Sequence, residues 1–265
     1  MNVHSVSLKG LRNTNEDKHF ININMDGSNP QQAKINLFGI FDGHGGKNVS
    51  SHVYNNIGNF FMNKNVIYPL TKKYVYDSYD SIQRDLRACE FAYKSGCTAL
   101  IVVNFKQGKD QYLNIMNTGD CRCLICRDNF AMPLTKDHKP HWPEEKSRIE
   151  QLGGNIVYDG FDWRVKELSV SRAFGDLDAV PFLTHRPELF KYKIDKSDKF
   201  FVMACDGLWD VVSNEEVTNF ILANCYDNTT KNRINKNINI AKRLGEHALK
   251  KGSTDNITII VVFLY

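Results

Sequence analysis

Four carboxylates sit at the ends of strand-like apolar runs in this chain, and that recurrence limits the folds open to it. Residues 37–41 run into Asp42-Gly43-His44-Gly45-Gly46, and residues 200–205 run into Asp206-Gly207. Asp255 precedes the run 256–263, and Asp120 lies in the turn joining 112–117 to 122–126. Where neighbouring strands are antiparallel, an acid ending one strand and an acid starting another share one rim of the sheet. A rim of that kind gathers cations.

A chain of 265 residues suffices for a sizeable core, and a single domain over 1–265 is the expectation. With 42% hydrophobic and 24% charged residues it has the balance of an ordinary globular protein, not a disordered one. Lys and Arg are scattered, without a basic stripe interleaved with aromatics, so the net charge of +4 predicts no nucleic-acid partner. No apolar run approaches the roughly 20 residues that span a bilayer. The N-terminus lacks a basic-then-apolar leader, and Asn2 stands where myristoylation needs Gly. No membrane partner is therefore expected, and a monomer is the default. Seven cysteines, most within apolar runs, suit free buried thiols in a reducing compartment, hence a cytoplasmic or nuclear location. Cys121, Cys123 and Cys126 have no Cys or His pair at zinc spacing after them and read as packed strand residues.

Two short strands flank the polar turn at 10–15, and a loop is expected at 26–30 before the buried strand 35–41. Val49, Val53, Ile57, Phe60 and Phe61 recur at helical spacing, which predicts an amphipathic helix facing the core. A second helix is expected over about 74–93, a strand at 98–103, and a hairpin through Thr118-Gly119-Asp120. A helix begins at Pro143 and stops at Gly153-Gly154. Residues 158–199 read as a loop-rich excursion with one or two small helices. Ser213 and Glu216 form a capping box for a helix over 213–224, and another helix covers 235–250. Strands and helices without regular alternation predict an α+β fold, antiparallel sheets covered by helices.

Acids crowded on one rim repel unless cations bind among them. Oxygen ligands without Cys or His at coordinating spacing select hard ions such as Mg²⁺ or Mn²⁺. Two such ions about 4 Å apart share a carboxylate and a water, making hydroxide available near neutral pH. The matching reaction is phosphoester hydrolysis. Arg12 suits a phosphate by its fork of donors, and His44 suits protonation of a leaving oxygen. Any single Asp-Gly pair is more often just a turn; the recurrence of acids carries the reading.

The chain resembles the metal-dependent serine/threonine protein phosphatases of the 2C class over nearly its whole length. The resemblance rests on a string of motifs in the family's order. They run from Gly10-Leu11-Arg12 with Asn15-Glu16-Asp17, through Phe41-Asp42-Gly43-His44-Gly45-Gly46, Ser95-Gly96-Cys97-Thr98-Ala99 and Asn117-Thr118-Gly119-Asp120, to Leu134-Thr135-Lys136-Asp137-His138-Lys139-Pro140. Leu168-Ser169-Val170-Ser171-Arg172-Ala173-Phe174-Gly175-Asp176, Ala204-Cys205-Asp206-Gly207-Leu208-Trp209-Asp210 and Gly252-Ser253-Thr254-Asp255-Asn256-Ile257-Thr258 complete it. The resemblance implies a four-layer α-β-β-α sandwich with two central antiparallel sheets and a metal site at one end. It implies two Mg²⁺ or Mn²⁺ ions and a weaker third, phosphoprotein substrates, and hydrolysis by a metal-bridged hydroxide. By position, Asp42 would bridge the metals, Gly43 would offer its carbonyl, and Asp206 and Asp255 would complete the binuclear site. Glu16 would reach a metal directly or through water, and Asp17 would order metal-bound water. Arg12 would hold the substrate phosphate and His44 would protonate the leaving seryl or threonyl oxygen. Asp120, Asp206 and Asp210 match the third site, Arg172 and Asp176 are expected to pair with each other, and a flap is expected at about 177–195.

Two departures carry expectations. Cys121, where Ser is commoner, would make the site sensitive to oxidation, and His185-Arg186 in the flap would favour acidic substrates. Against an active phosphatase stand an inactive 2C-type pseudophosphatase acting as a binding scaffold, and a nucleotide-binding protein. The first needs lost carboxylates, and all are kept; the second needs the Gly spacing and Lys of a P-loop, which are missing.

Overall fold

Two five-stranded antiparallel sheets form the centre of the molecule, in a computed structural model that describes residues 1–25, 34–62, 66–235 and 237–265. The loop expected at 26–30 lies outside the described residues. The first sheet has the order β1 (Asn2–Leu8), β15 (Ile257–Phe263), β14 (Asp198–Ala204), β8 (Arg122–Arg127), β9 (Phe130–Pro133). The second runs β13 (Glu188–Lys193), β7 (Asp110–Thr118), β6 (Ala99–Gln107), β3 (Ile35–Phe41), β2 (Lys18–Met25). A small antiparallel ladder of β12 (Phe174–Gly175), β5 (Gly96–Cys97) and β4 (Gly43–His44) extends one rim, and β10 (Val157–Tyr158) pairs with β11 (Trp163–Arg164).

Strand parity explains why the central runs are apolar on both faces. Phe38 and Ile40 of β3 face the other sheet and meet Phe201 and Met203, with the Phe38 and Phe201 rings edge-on at 5.6 Å. Leu37 and Phe41 point the other way, into a core roofed by Val53, Ile57 and Phe61 of α1 (Asn48–Phe61) and Tyr79 and Ile82 of α2 (Lys72–Leu86). On the far side Val202 and Val261 pack under α5 (Asn214–Cys225) and α6 (Ile240–Lys250). Each fully buried side chain of this kind contributes roughly 1.5–3 kcal/mol, so the three cores hold the four layers together. A smaller cluster around Ile149 of α3 (Pro143–Gln151) supports the excursion between β9 and β13. Among the described residues no helix is long and apolar enough to cross a membrane.

Three expectations change. The Thr118-Gly119-Asp120 turn is no hairpin: β7 and β8 lie in different sheets, and the chain crosses between them there. The real hairpins join β6 to β7 beyond Gly108 and β8 to β9 through Asp128-Asn129, both residues with positive φ. Residues 188–193, read as loop, form the edge strand β13. The helix expected over 74–93 is α2 followed by a separate 3₁₀ turn at Glu90–Tyr93.

Candidate active site

The antiparallel order delivers the acids to one rim. In one sheet Ala204, at the end of β14, pairs with Arg122 and Ile259; in the other, Ile40 near the end of β3 pairs with Leu100, which pairs with Asn117 near the end of β7. Asp42 follows β3, Asp120 follows β7, Asp206 opens the short helix α4 (Asp206–Trp209), and Asp255 precedes β15. Carboxylate oxygens of Asp42, Asp120 and Asp206 lie within 4.8 Å of one another. A second group within the same reach comprises Asp17, Asp42 and the Cys205 thiol, so Asp42 belongs to both.

A cleft of about 400 Å³ opens over this floor, lined by Arg12, Glu16, Asp42, Gly43, His44, Asp120, Asp206 and Asp255. The remaining two expected residues stand apart. Asp17 is buried behind the floor: its Oδ2 accepts from Thr258 Oγ1 at 2.6 Å, and its Oδ1 has no partner among the described residues. Asp210 follows α4, is exposed, and does not line the cleft.

The turn bearing Arg12 and Glu16 is clamped to β15 by Asn256. Its Nδ2 donates to the Lys9 and Thr14 carbonyls at 2.7 and 2.9 Å, and its Oδ1 accepts the Glu16 N–H at 2.8 Å. Gly10 makes this approach possible: it has φ +63°, and a Cβ would run into the Asp255 carbonyl. Glu16 accepts from the Gly46 N–H at 2.9 Å, and Arg12 Nη2 reaches Asp255 Oδ2 at 2.6 Å.

Burial raises the pKa of Asp42 and of Asp206 well above the usual carboxylate range. The charges of Asp206, Asp17 and Asp120 on Asp42, and of Asp120 and Asp210 on Asp206, add to it. Burial likewise brings Asp17 to about 6. Acids held this way exist as protonated species or around cations. The converging oxygens, the partnerless Asp17 Oδ1 and the all-oxygen cluster of Asp42, Asp120 and Asp206 fit hard divalent ions. One cation is already built in: Lys139 Nζ is 2.5 Å from Asp120 Oδ2.

His44 Nε2 is 2.8 Å from Asp176 Oδ2. Burial opposes a charged imidazole, but the Asp176 bond and charge outweigh it and raise the His44 pKa. Arg172 is therefore not the partner of Asp176. It binds Glu145 of α3 at 2.5 Å, a carboxylate that Arg148 also holds at 2.9 Å.

None of residues 177–195 lines the cleft; Arg164, Glu167, Leu168, Ser169 and Val170 form its wall instead. His185 and Arg186 both contact Asp80 of α2, at 2.7 and 3.1 Å, which ties them to the helix. Cys121 is buried beside Thr98, and burial together with the charges of Asp42 and Asp120 pushes its thiol pKa well up. Nothing local in the sequence marks Lys139 or Asn256 for a role; the fold brings them to the acids.

Hard-ion carboxylates beside an arginine and a histidine define a metal-dependent hydrolase of anionic esters. Comparison with known proteins narrows the class, because the model of the family described as Protein phosphatase 2C matches residues 1–257. The chain belongs to that family, whose members are metal-dependent protein serine/threonine phosphatases. A PP2C-like domain-containing protein of Acanthamoeba polyphaga mimivirus is 42% identical over 173 residues, covering 59% of this chain and 97% of that protein. "Probable protein phosphatase 2C 59" of Arabidopsis thaliana is 35% identical over 262 residues, covering 97% of this chain and 77% of that one. Among solved structures, the serine-threonine phosphatase 2C from Toxoplasma gondii superposes with a TM-score of 0.75 at 23% identity, covering 98% of this chain and 94% of that chain. A C. elegans sex determining protein gives 0.83 at 24% identity, covering 100% of this chain and 65% of that chain. At these identities the structures bear on the fold.

Proposed function

We propose that the chain hydrolyses phosphoserine and phosphothreonine esters in proteins, with two Mg²⁺ or Mn²⁺ ions and a weaker third. The observation that carries this reading is the convergence of Asp42, Asp120 and Asp206 within 4.8 Å on the floor of a cleft that Arg12 and His44 also line. Asp42, the Gly43 carbonyl, Asp206 and Asp255 would hold the two ions, with Glu16 beside them; Asp120 and Asp206 would hold the third, with Asp210 reaching it from outside the cleft. Divalent ions bound there would offset the charge of the phosphate and lower the pKa of a nearby water.

The protein's own side chains do the rest. Arg12 binds the phosphate through its fork of donors. The buried, unpartnered Oδ1 of Asp17 would accept a hydrogen bond from a water behind the floor. His44 gives its proton to the leaving seryl or threonyl oxygen, its ring held by the Asp176 carboxylate at 2.8 Å. Residues 1–265 act as one catalytic domain and a monomer, with the wall at 164–170 serving as the flap. Seven free cysteines support a cytoplasmic or nuclear location. No expected carboxylate is replaced, so nothing favours an inactive scaffold.

The test is phosphate release from a phosphothreonine peptide. Activity should appear with Mn²⁺ or Mg²⁺ and vanish on chelation. Activity that survives chelation overturns the two-metal reading, and none in the loaded protein favours the scaffold.

A further inference from the structure

We propose that Asp176 is a positioning residue for His44, holding its imidazole from behind so that Nδ1 is the nitrogen left for the leaving oxygen. Asp176 does not line the cleft, whereas His44 does. Its carboxylate is buried, and Oδ2 meets His44 Nε2 at 2.8 Å.

The contact is built by the small ladder. Gly96 pairs with His44 on one side and with Gly175 on the other, so the bond between His44 and Asp176 passes over Gly96. A Cβ on Gly96 would collide with both His44 Nε2 and Asp176 Oδ2. Glycine on the middle strand is what lets the two side chains meet.

Asp176 itself takes a left-handed conformation, φ +44° and ψ +48°, which is unfavourable for a non-glycine residue. Surrounding bonds enforce it. Gln83, buried on α2, accepts the Gly175 N–H at 2.9 Å and donates to the Gly175 carbonyl at 3.2 Å, while the Asp176 N–H reaches the Ser95 carbonyl at 2.9 Å. Helix α2 thus fixes the backbone that carries the carboxylate.

The inference rests on His44 as proton donor. As a water oxygen bonds to phosphorus and the ester phosphorus–oxygen bond breaks, the leaving oxygen takes the Nδ1 proton, while the Nε2 proton stays on the ring and is donated to Asp176 Oδ2. A base and its orienting carboxylate work as one unit in this way elsewhere in enzymology.

The experiment compares His44→Ala, Asp176→Asn and their double variant on a phosphothreonine peptide and on p-nitrophenyl phosphate, whose leaving group needs little protonation. Asparagine tolerates the left-handed conformation. Asp176→Asn should lower kcat on the peptide by on the order of 10²-fold, far more than on the aryl ester, with KM little changed. The double variant should be no worse than His44→Ala alone. A wild-type ratio of the two substrates in Asp176→Asn, while His44→Ala remains selective, overturns the positioning role. So do losses that simply multiply. Equal losses on both substrates in His44→Ala overturn the proton-donor reading, and the inference with it. Nitrogen NMR of histidine in the unmutated protein should find Nε2 protonated in the neutral His44 ring, and an Nδ1–H neutral ring overturns the proposal without any variant.

Discussion

Lys139 Nζ lies 2.5 Å from Asp120 Oδ2, and both side chains are largely buried, at 16% and 2% exposure. A lysine inside the acid cluster competes with a divalent ion for Asp120. Its own pKa is raised, since the charges of Asp120 and Asp206 outweigh burial. Breaking a buried pair costs roughly 3–5 kcal/mol. Lys139→Met should therefore lower the melting temperature of metal-stripped protein by about 10 °C, and Mn²⁺ should recover more of it than in the wild type. Calorimetry with and without Mn²⁺ decides this, and an unchanged metal-free melting point contradicts it.

The acids also set a pH dependence. Burial puts the folded pKa of Asp17 at about 6, and Asp42 and Asp206 are shifted in the same direction. A carboxyl whose folded pKa exceeds its unfolded value stabilises the fold when protonated. That contribution is complete below about pH 4 and is lost as pH rises through the folded value. For Asp17 alone the loss is roughly 3 kcal/mol. Metal-stripped protein should melt at a lower temperature at about pH 7.5 than at pH 5, and divalent ions should remove the slope. A flat or rising profile without metal would contradict the assignment.

Glu145 is buried between Arg172 and Arg148, whose bonds and charges overcome the effect of burial and bring its pKa down to about 2. Glu145→Gln leaves two guanidiniums short of a counter-charge. A loss of roughly 3 kcal/mol should appear as a lower urea midpoint. An unshifted midpoint would mean that the trio contributes little.

Arg12 stands at the exposed edge of the cleft, 60% of its side chain in solvent and one nitrogen on Asp255. Arg12→Ala should raise KM for a phosphopeptide about tenfold, and Arg12→Lys should restore only part, because an ammonium lacks the planar fork. Unchanged KM in both variants argues against phosphate contact.

The acids at strand ends were legible because each lies beside its own apolar run, a local signal. Contacts between distant segments were not. Arg172 and Asp176 are near neighbours of opposite charge, which suggests a pair, yet β5 places Asp176 under His44 and α3 brings Glu145 to Arg172. The capping box was half right for the same reason. Ser213 accepts the Glu216 N–H at 3.2 Å, but the Glu216 carboxylate goes to His247 and Lys251. In β13, Leu189 packs toward one core and Phe190 and Tyr192 toward another or its edge, while intervening lysines hide the alternation. The 118–121 crossing looked like a hairpin because a Gly-Asp turn between apolar runs reads alike whether the chain returns to the same sheet or passes to the next.

Asp42 is the single carboxylate shared by both acid groups, so its replacement tests the account most directly. Mn²⁺ binding by calorimetry and phosphate release from a phosphothreonine peptide should be measured together on the wild type and Asp42→Asn. Losing a group that only supports a metal ligand costs roughly 10–100-fold in affinity, and losing the shared ligand should exceed that, with phosphatase activity falling alongside. Wild-type Mn²⁺ affinity and turnover in Asp42→Asn would contradict the claim that these carboxylates hold the catalytic ions.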